Sequence, residues 1–452
     1  MDMTTGGIVS NILKFAFPLL LGNLFQQLYN MVDTWVIGQT GQDGAYAAVG
    51  SVGPIINILI GFFLGFSSGA GVIISQYYGA KKYEDVKRAV HTALTMTLIL
   101  AVVFTVVGVI MTPAVLKLML QSKEGSADIY ENAKIYLTIY FSGVVGLMIY
   151  NIGSGMLRAI GDSRRPFYFL VASATINTVL DLVFVFVFSM GVAGVALATI
   201  IAQGVSAILT VITLIGTTSC VKLNIKELGI DAKMLLKIVT VGFPAAIQMA
   251  LTSFSNVFVQ SYVTNVNGDP AACLGGWTTY SKIDQLIFLP VQSISLGVTT
   301  FVGQNLGIGN HKRAKRGTYI SYAMASVSAI CIIIPVMIFA PYLAAVFNDD
   351  PEIVANSTLL LRYITPFYLL CCINQIFSAA LRGAGNTRAP MIIMLCTFVG
   401  FRQIYLFVMS NYISNDLLPI ALGYPAGWLA CSIATLIYFK FYKFENRSMV
   451  GK

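Results

Sequence analysis

Polar interruptions cut this chain into long apolar runs. Twelve of them are long enough to cross a bilayer as a helix, about 20 residues each. They are predicted over 10–38, 46–77, 88–112, 130–157, 167–188, 192–219, 235–265, 271–305, 316–347, 353–381, 390–412 and 418–440. The first run is too long for a signal peptide and has no basic stretch before it, so it is expected to remain as helix one. Composition agrees with a membrane protein. Of 452 residues 57% are hydrophobic and 10% charged, with a mean hydropathy of +0.78. A soluble domain carries roughly 25% charged residues. A soluble enzyme, a disordered chain and a fibrous protein are therefore excluded.

The net charge of +9 would suit nucleic acid, but its distribution follows the topology. With the N-terminus inside, 22 of the 28 Lys and Arg fall in cytoplasmic loops, near the first helix or in the C-terminal tail. Four (Lys117, Lys123, Lys134 and Arg362) fall outside, and Lys282 and Arg402 lie within spans. Basic residues collect on the cytoplasmic side of membrane proteins. The expectation is a multi-pass protein of the inner (plasma) membrane with both termini cytoplasmic, in contact with the lipid bilayer and with no nucleic-acid partner. The two histidines stand apart from any Cys or carboxylate cluster, and the seven cysteines show no CxxC spacing. Neither a metal site nor a disulfide framework is expected.

The chain repeats itself. "FAFPLLLGNLFQQLYN" (15–30) aligns with "VGFPAAIQMALTSFSN" (241–256), and "QYYGAKKYEDVKRA" (76–89) with "QNLGIGNHKRAKRG" (304–317). "SGMLRAIGDSRRP" (154–166) aligns with "SAALRGAGNTRAP" (378–390). The offsets are 226, 228 and 224. The predicted architecture is all-α: an N-lobe (1–220), a polar linker (221–234) and a C-lobe (235–452), each lobe of six helices. An even number of spans gives both lobes the same polarity, so they are related by an axis along the membrane normal, around a central cleft. Pro18 and Pro244 occupy equivalent places in the first helix of each lobe and predict a kink there.

Three acids lie well inside spans: Asp33, Asp181 and Asp284. A charge at mid-bilayer costs about 2.5–3.5 kcal/mol, so each is a candidate functional group. Asn23, Gln26, Asn30 and Asp33 recur three or four apart and share one face of helix one. Asn177 and Asp181 share a face of helix five. Two carboxylates with amide oxygens suit a hard cation such as Na⁺; crowded and desolvated, one of them suits a proton equally well. Asp284 has Lys282 two residues away, and Arg402 lies mid-span in "FVGFRQIYLFV". A buried Asp284–Arg402 or Asp284–Lys282 ion pair and a second-lobe substrate or gating site are both open. The second-half counterparts of Asp33 and Asp181 are Val259 and Tyr405, which places any coupling ion in the first lobe. Aromatics such as Phe25, Tyr29, Trp35, Tyr136, Tyr140, Phe141 and Tyr150 mostly pack or face lipid; a few could line a cleft for flat cations.

"FPLLLGNLFQQLYNMVDTWVIGQ", the paired basic loops, "LRAIGDSRRP" with "LRGAGNTRAP", and "INTVLDLVFVF" followed by "GVAGVALAT" resemble the multidrug and toxic compound extrusion (MATE) family, most closely its prokaryotic branches. The likeness runs through the whole chain. It implies two six-helix lobes and export of small cationic or aromatic compounds in exchange for H⁺ or Na⁺, with no cofactor beyond that ion. Residue by residue it points to Asp33, Asn177, Asp181 and Thr199, with Asn151 and Gln26 behind them. Some members carry a helix-seven Glu and a helix-ten Asp. Here those helices offer Gln248, Thr252, Ser255 and Asn256, and Asn374 and Gln375, so a C-lobe ion site is not expected. A monomer suffices. The alternatives are a flippase for a lipid-linked saccharide, which calls for a more cationic cavity, and an intramembrane aspartyl protease, for which no GxGD motif is present. A P-loop pump is excluded, because no GxxxxGK[ST] occurs.

Overall fold

The computed structural model describes residues 1–38, 45–120, 127–444 and 450. Lys123, Arg447 and Lys452, which entered the charge count above, lie outside the described residues. The first lobe comprises α1 (Ile8–Gly38), α2 (Ala45–Gly79), α3 (Tyr83–Leu120), α4 (Ala127–Ser142 and Val144–Ala159), α5 (Arg164–Val187) and α6 (Gly191–Gly216). The second comprises α7 (Ala232–Val263), α8 (Pro270–Gly307), α9 (His311–Ala345), α10 (Pro351–Gly383), α11 (Arg388–Ile413) and α12 (Leu417–Phe441). Among the described residues eleven helices are long and apolar enough to span a membrane, and the two pieces of α4 make a twelfth. The pattern of apolar runs thus matches the helices one for one.

The pieces of α4 meet at a 48° bend around Gly143. A Cβ there would come within 2.4 Å of Ile200 on α6, so only glycine lets the two helices touch at the bend. α1 and α7, by contrast, run through Pro18 and Pro244 without interruption. Among the described residues the one span broken in two is α4, and Pro18 and Pro244 lie inside continuous helices.

The repeat is visible in detail. α4 and α10 end alike, with Gly161 (φ +83°) and Gly385 (φ +79°) in the left-handed region. Asp162 N donates to Leu157 O and Asn386 N to Leu381 O, both at 2.9 Å. This is the helix-stop geometry that glycine favours, and it explains why G recurs in "LRAIGDSRRP" and "LRGAGNTRAP". α5 and α11 also end alike, each in a π-helical turn (Val183–Val187 and Met409–Ile413).

The hydrophobic cores cross the chain halves. Ile12, Phe15 and Leu19 of α1 are buried in the second-lobe core with Val298, Phe301 and Phe377. Met234, Ile238 and Val241 of α7 are buried in a first-lobe core with Phe66, Ile73 and Leu157. At the seam α2 meets α7 so closely that a Cβ on Gly69 would lie 2.1 Å from Gly242 Cα. Outward faces stay apolar: Ile99, Val102, Val106 and Ile110 of α3 are all more than half exposed, the pattern of a lipid-facing stripe.

The turns after α2, α4 and α8 share one end of the bundle with the N-terminal segment. Met1 N donates to Ile160 O at 2.9 Å, and Met3 N to Gln304 Oε1 at 2.9 Å. Lys82 Nζ reaches Val450 O at 3.2 Å, so the chain's last described residue is there too. The linker docks on α3: Lys87 Nζ lies 2.6 Å from Glu227, and Asn224 N donates to His91 Nε2 at 3.1 Å. Most of the basic residues gather at this end.

Candidate functional site

α1 and α5 lie side by side, with Phe25 and Phe167 rings 6.4 Å apart and Trp35 and Phe186 6.3 Å apart. This pairing sets Asp33 near enough to Asp181 for the two carboxyls to interact. Asp181 is fully buried, and Asn177, one turn earlier, is 1% exposed. Asp33 Oδ1, both Asp181 carboxyl oxygens and both Asn177 amide atoms are enclosed without a satisfying hydrogen-bond donor or acceptor among the described residues. No lysine or arginine pairs with either acid among the described residues. Two carboxylates cannot hydrogen-bond while both are ionised. The pair is satisfied when it shares a proton or surrounds a cation. Enclosed polar atoms left without partners are costly, about 1–3 kcal/mol each.

Other polar groups close around the pair. The Tyr136 hydroxyl on α4 lies beside Thr199 on α6 and within electrostatic reach of both acids. Tyr29 lies beside Gln26 and close to Asp33. Tyr140 stacks on Tyr136 at 6.3 Å and faces Gln203. Thr199 Oγ1 donates to Val195 O at 2.9 Å, which leaves its lone pairs available. Of the candidates taken from the sequence, Asp33, Asp181, Asn177 and Thr199 therefore converge, and Gln26 approaches through Tyr29. Asn151 does not join them through any bond: its amide donates to Leu147 O at 2.9 Å, and its own carbonyl accepts from Ser67 on α2. Asn30 turns outward and donates to Gln27, so the helix-one stripe is only partly a site. Tyr136, Tyr140 and Gln203 are what sequence reasoning missed as site residues. Tyr136 and Tyr140 are four apart on one helix face, but nothing in the pattern aims that face at α1.

The second lobe bears on the ion pair left open above. Asp284 forms no ion pair with Arg402 or Lys282 among the described residues. Tyr368 and Tyr280 both donate to its Oδ1, the latter at 3.4 Å. Arg402 is 1% exposed; its Nη2 donates to Ser255 Oγ at 2.5 Å and Asn256 Oδ1 at 3.2 Å. Its guanidinium lies 4.7 Å from the Tyr424 ring centre and 5.2 Å from that of Phe398. The physical reason is local. A π-helical turn, Leu395–Phe401, precedes Arg402, and the side chain runs to α7 and α12 while Asp284 on α8 faces α10. Lys282, two residues from Asp284, is half-buried and shares neither network. Gln248 of α7 and Asn374 of α10 bond to Met394 Sδ and Trp428 O.

A twelve-helix bundle of two repeated lobes, with a buried acid pair held between helices, defines a polytopic membrane transporter. The MatE family's sequence model matches residues 18–183 and 244–408, one copy in each lobe, and the chain belongs to that family. It is 30% identical over 441 residues to the probable multidrug resistance protein YoeA of Bacillus subtilis, covering 95% of this chain and 92% of that protein. It is 28% identical to the probable multidrug resistance protein YpnP of the same organism, over 97% and 96% of the two chains. The fold also matches the solved structure of a MOP superfamily transporter from Pyrococcus furiosus, with a TM-score of 0.91 at 22% identity, over 100% of this chain and 98% of that one. Family membership makes this a transporter rather than an enzyme and sets the protease reading aside.

Proposed function

We propose that this chain is a secondary active exporter of small cationic or aromatic compounds, driven by inward movement of H⁺ or Na⁺ through the Asp33–Asp181 pair. The observation that carries this is the juxtaposition of half-buried Asp33 and buried Asp181 with no basic partner among the described residues, beside the unbonded Asn177 amide. The multidrug names of the B. subtilis relatives support the substrate class. The basic end is taken as cytoplasmic and the membrane as the inner (plasma) membrane. Substrate enters from the cytoplasm, the lobes rock outward, and an external cation settles at the pair, with Thr199 and Tyr136 supplying neutral oxygens. The cation drives the cycle only through its different affinity for the two states. A potential of about 100 mV adds roughly 2.3 kcal/mol for each charge moved inward. Nothing in this scheme needs more than one copy of the chain.

The test is ethidium movement in proteoliposomes under a Na⁺ gradient or a pH gradient imposed separately. The expected result is export under one gradient, lost in Asp181→Asn protein that remains folded. Normal pumping by Asp181→Asn overturns the assignment.

A further inference from the structure

A groove of about 790 Å³ opens at the basic end between the start of α1 and the start of α9. Its wall carries Lys14 from α1 and Arg313 and Arg316 from α9; its floor includes Val9, Leu13 and Ile320. Among the described residues none of these three cations lies within 4.0 Å of a carboxylate. Arg313 has a structural task already. Its Nη2 donates to Gly6 O at 2.8 Å and Thr5 O at 3.1 Å, and its guanidinium sits over Phe301. Lys14 and Arg316 are exposed and have no such bonds. Val9 and Leu13 beside them are 46% and 50% exposed.

We propose that this groove binds one anionic phospholipid, with its phosphate between Lys14 and Arg316 and an acyl chain along Val9, Leu13 and Ile320. Two features decide the occupant. Uncompensated positive charge selects an anion, and in a membrane the cytoplasmic leaflet supplies anionic headgroups. An apolar floor continuous with the charged wall has no use for a free anion, whereas a phospholipid covers both. Because α1 belongs to one lobe and α9 to the other, the bound lipid bridges the lobes at this end.

The experiment is native mass spectrometry of the full chain, delipidated in detergent and offered phosphatidylglycerol, phosphatidylcholine of the same acyl chains, or inorganic phosphate. A basic residue near an anionic surface contributes about 1 kcal/mol, and 1.4 kcal/mol is tenfold in affinity. Two such residues give a preference for phosphatidylglycerol over phosphatidylcholine of roughly tenfold or more. That preference is expected to fall below about twofold in the double variant Lys14→Gln, Arg316→Gln, whose substituted side chains hold no part of the fold together. A charge-matched control, Lys222→Gln with Lys226→Gln in the exposed linker, is expected to keep it. Three results overturn the proposal: equal uptake of both lipids, loss of preference in the linker control as well, or competition by inorganic phosphate that removes the lipid.

Discussion

Gln76 and Gln304 hold equivalent positions in the two repeats and make equivalent bonds across the lobes. Gln76 Nε2 on α2 donates to Gly383 O at the end of α10, and Gln304 Nε2 on α8 donates to Ala159 O at the end of α4, both at 2.9 Å. Ala159 and Gly383 are themselves repeat partners, at the same offset of 224 as Arg158 and Arg382. Both glutamines are fully buried. The bundle is thus latched at its basic end by a duplicated pair of hydrogen bonds.

Gln76→Leu or Gln304→Leu leaves a buried carbonyl unsatisfied, at a cost of about 1–3 kcal/mol. Either substitution is expected to populate an arrangement open at the basic end, to a similar degree by the pseudo-symmetry. Spin labels at the exposed, repeat-equivalent Arg164 and Arg388 report it by electron–electron distance measurement. Unchanged distance distributions in both variants would show that the latch carries no weight.

Close backbone approach accompanies the latch. A Cβ on Gly79 would meet Gln304 O at 2.1 Å, and one on Gly307 would meet Gln76 O at 2.2 Å. Gly79→Ala and Gly307→Ala are each expected to lower the thermal unfolding midpoint and widen the same distances. Gly204→Ala on α6, with nothing within 4 Å, is expected to hold or raise the midpoint, since alanine favours a helix by roughly 0.5–1 kcal/mol. A drop at Gly204 matching those at Gly79 and Gly307 argues against steric closeness as the cause.

Asp33 and Asp181 act on one shared ion in the proposed scheme, so their effects are not additive. The double variant Asp33→Asn, Asp181→Asn is expected to transport no worse than the weaker single variant. Gradient-driven dye flux decides this; two independent, multiplying losses would separate the acids into distinct sites.

Asp284 and Arg402 belong to separate networks, one of tyrosine hydroxyls and one of α7 oxygens and aromatic faces. A double-mutant cycle of Asp284→Asn with Arg402→Met is expected to show a coupling below about 0.5 kcal/mol in unfolding free energy. A contacting ion pair would couple by more.

The linker bond has a pH signature. Hydrogen bonds from Lys87 and Asn224 hold the Glu227 carboxyl below its ordinary range. Its contribution is complete above the unfolded pKa, about 4.3 for a free Glu, and is lost as pH falls through the lower folded value. Hydrogen exchange at the linker amides is expected to quicken below about pH 4 relative to core helices, and Glu227→Gln is expected to show the faster exchange already at neutral pH.

Much of the fold was legible because its signals are local. Apolar runs of membrane-crossing length gave each span, and three segments recurring at offsets of 226, 228 and 224 gave the repeat. The acid pair was legible because carboxylates inside apolar runs stand out. Tyr136 and Gln203 were not, since their place beside the acids depends on how four separate helices pack, which no local pattern records. The choice between an Asp284–Arg402 pair and separate networks was not legible for the same kind of reason: a π-helical turn resets the direction of the side chains after it, and no sequence period records that turn.

The crossing of the cores bears on how such a chain is made. Ile12, Phe15 and Leu19 of the first helix to leave the ribosome find their packing partners on α8 and α10, which are translated hundreds of residues later. Until then that helix stands in the lipid with half of its buried face uncovered. Domains usually fold as units from the N-terminus, and here the first lobe reaches its final packing only once α8 and α10 have been made. A ribosome stalled after α6 is expected to hold a first lobe whose opening helix is docked on α5 but keeps its Ile12–Leu19 face uncovered.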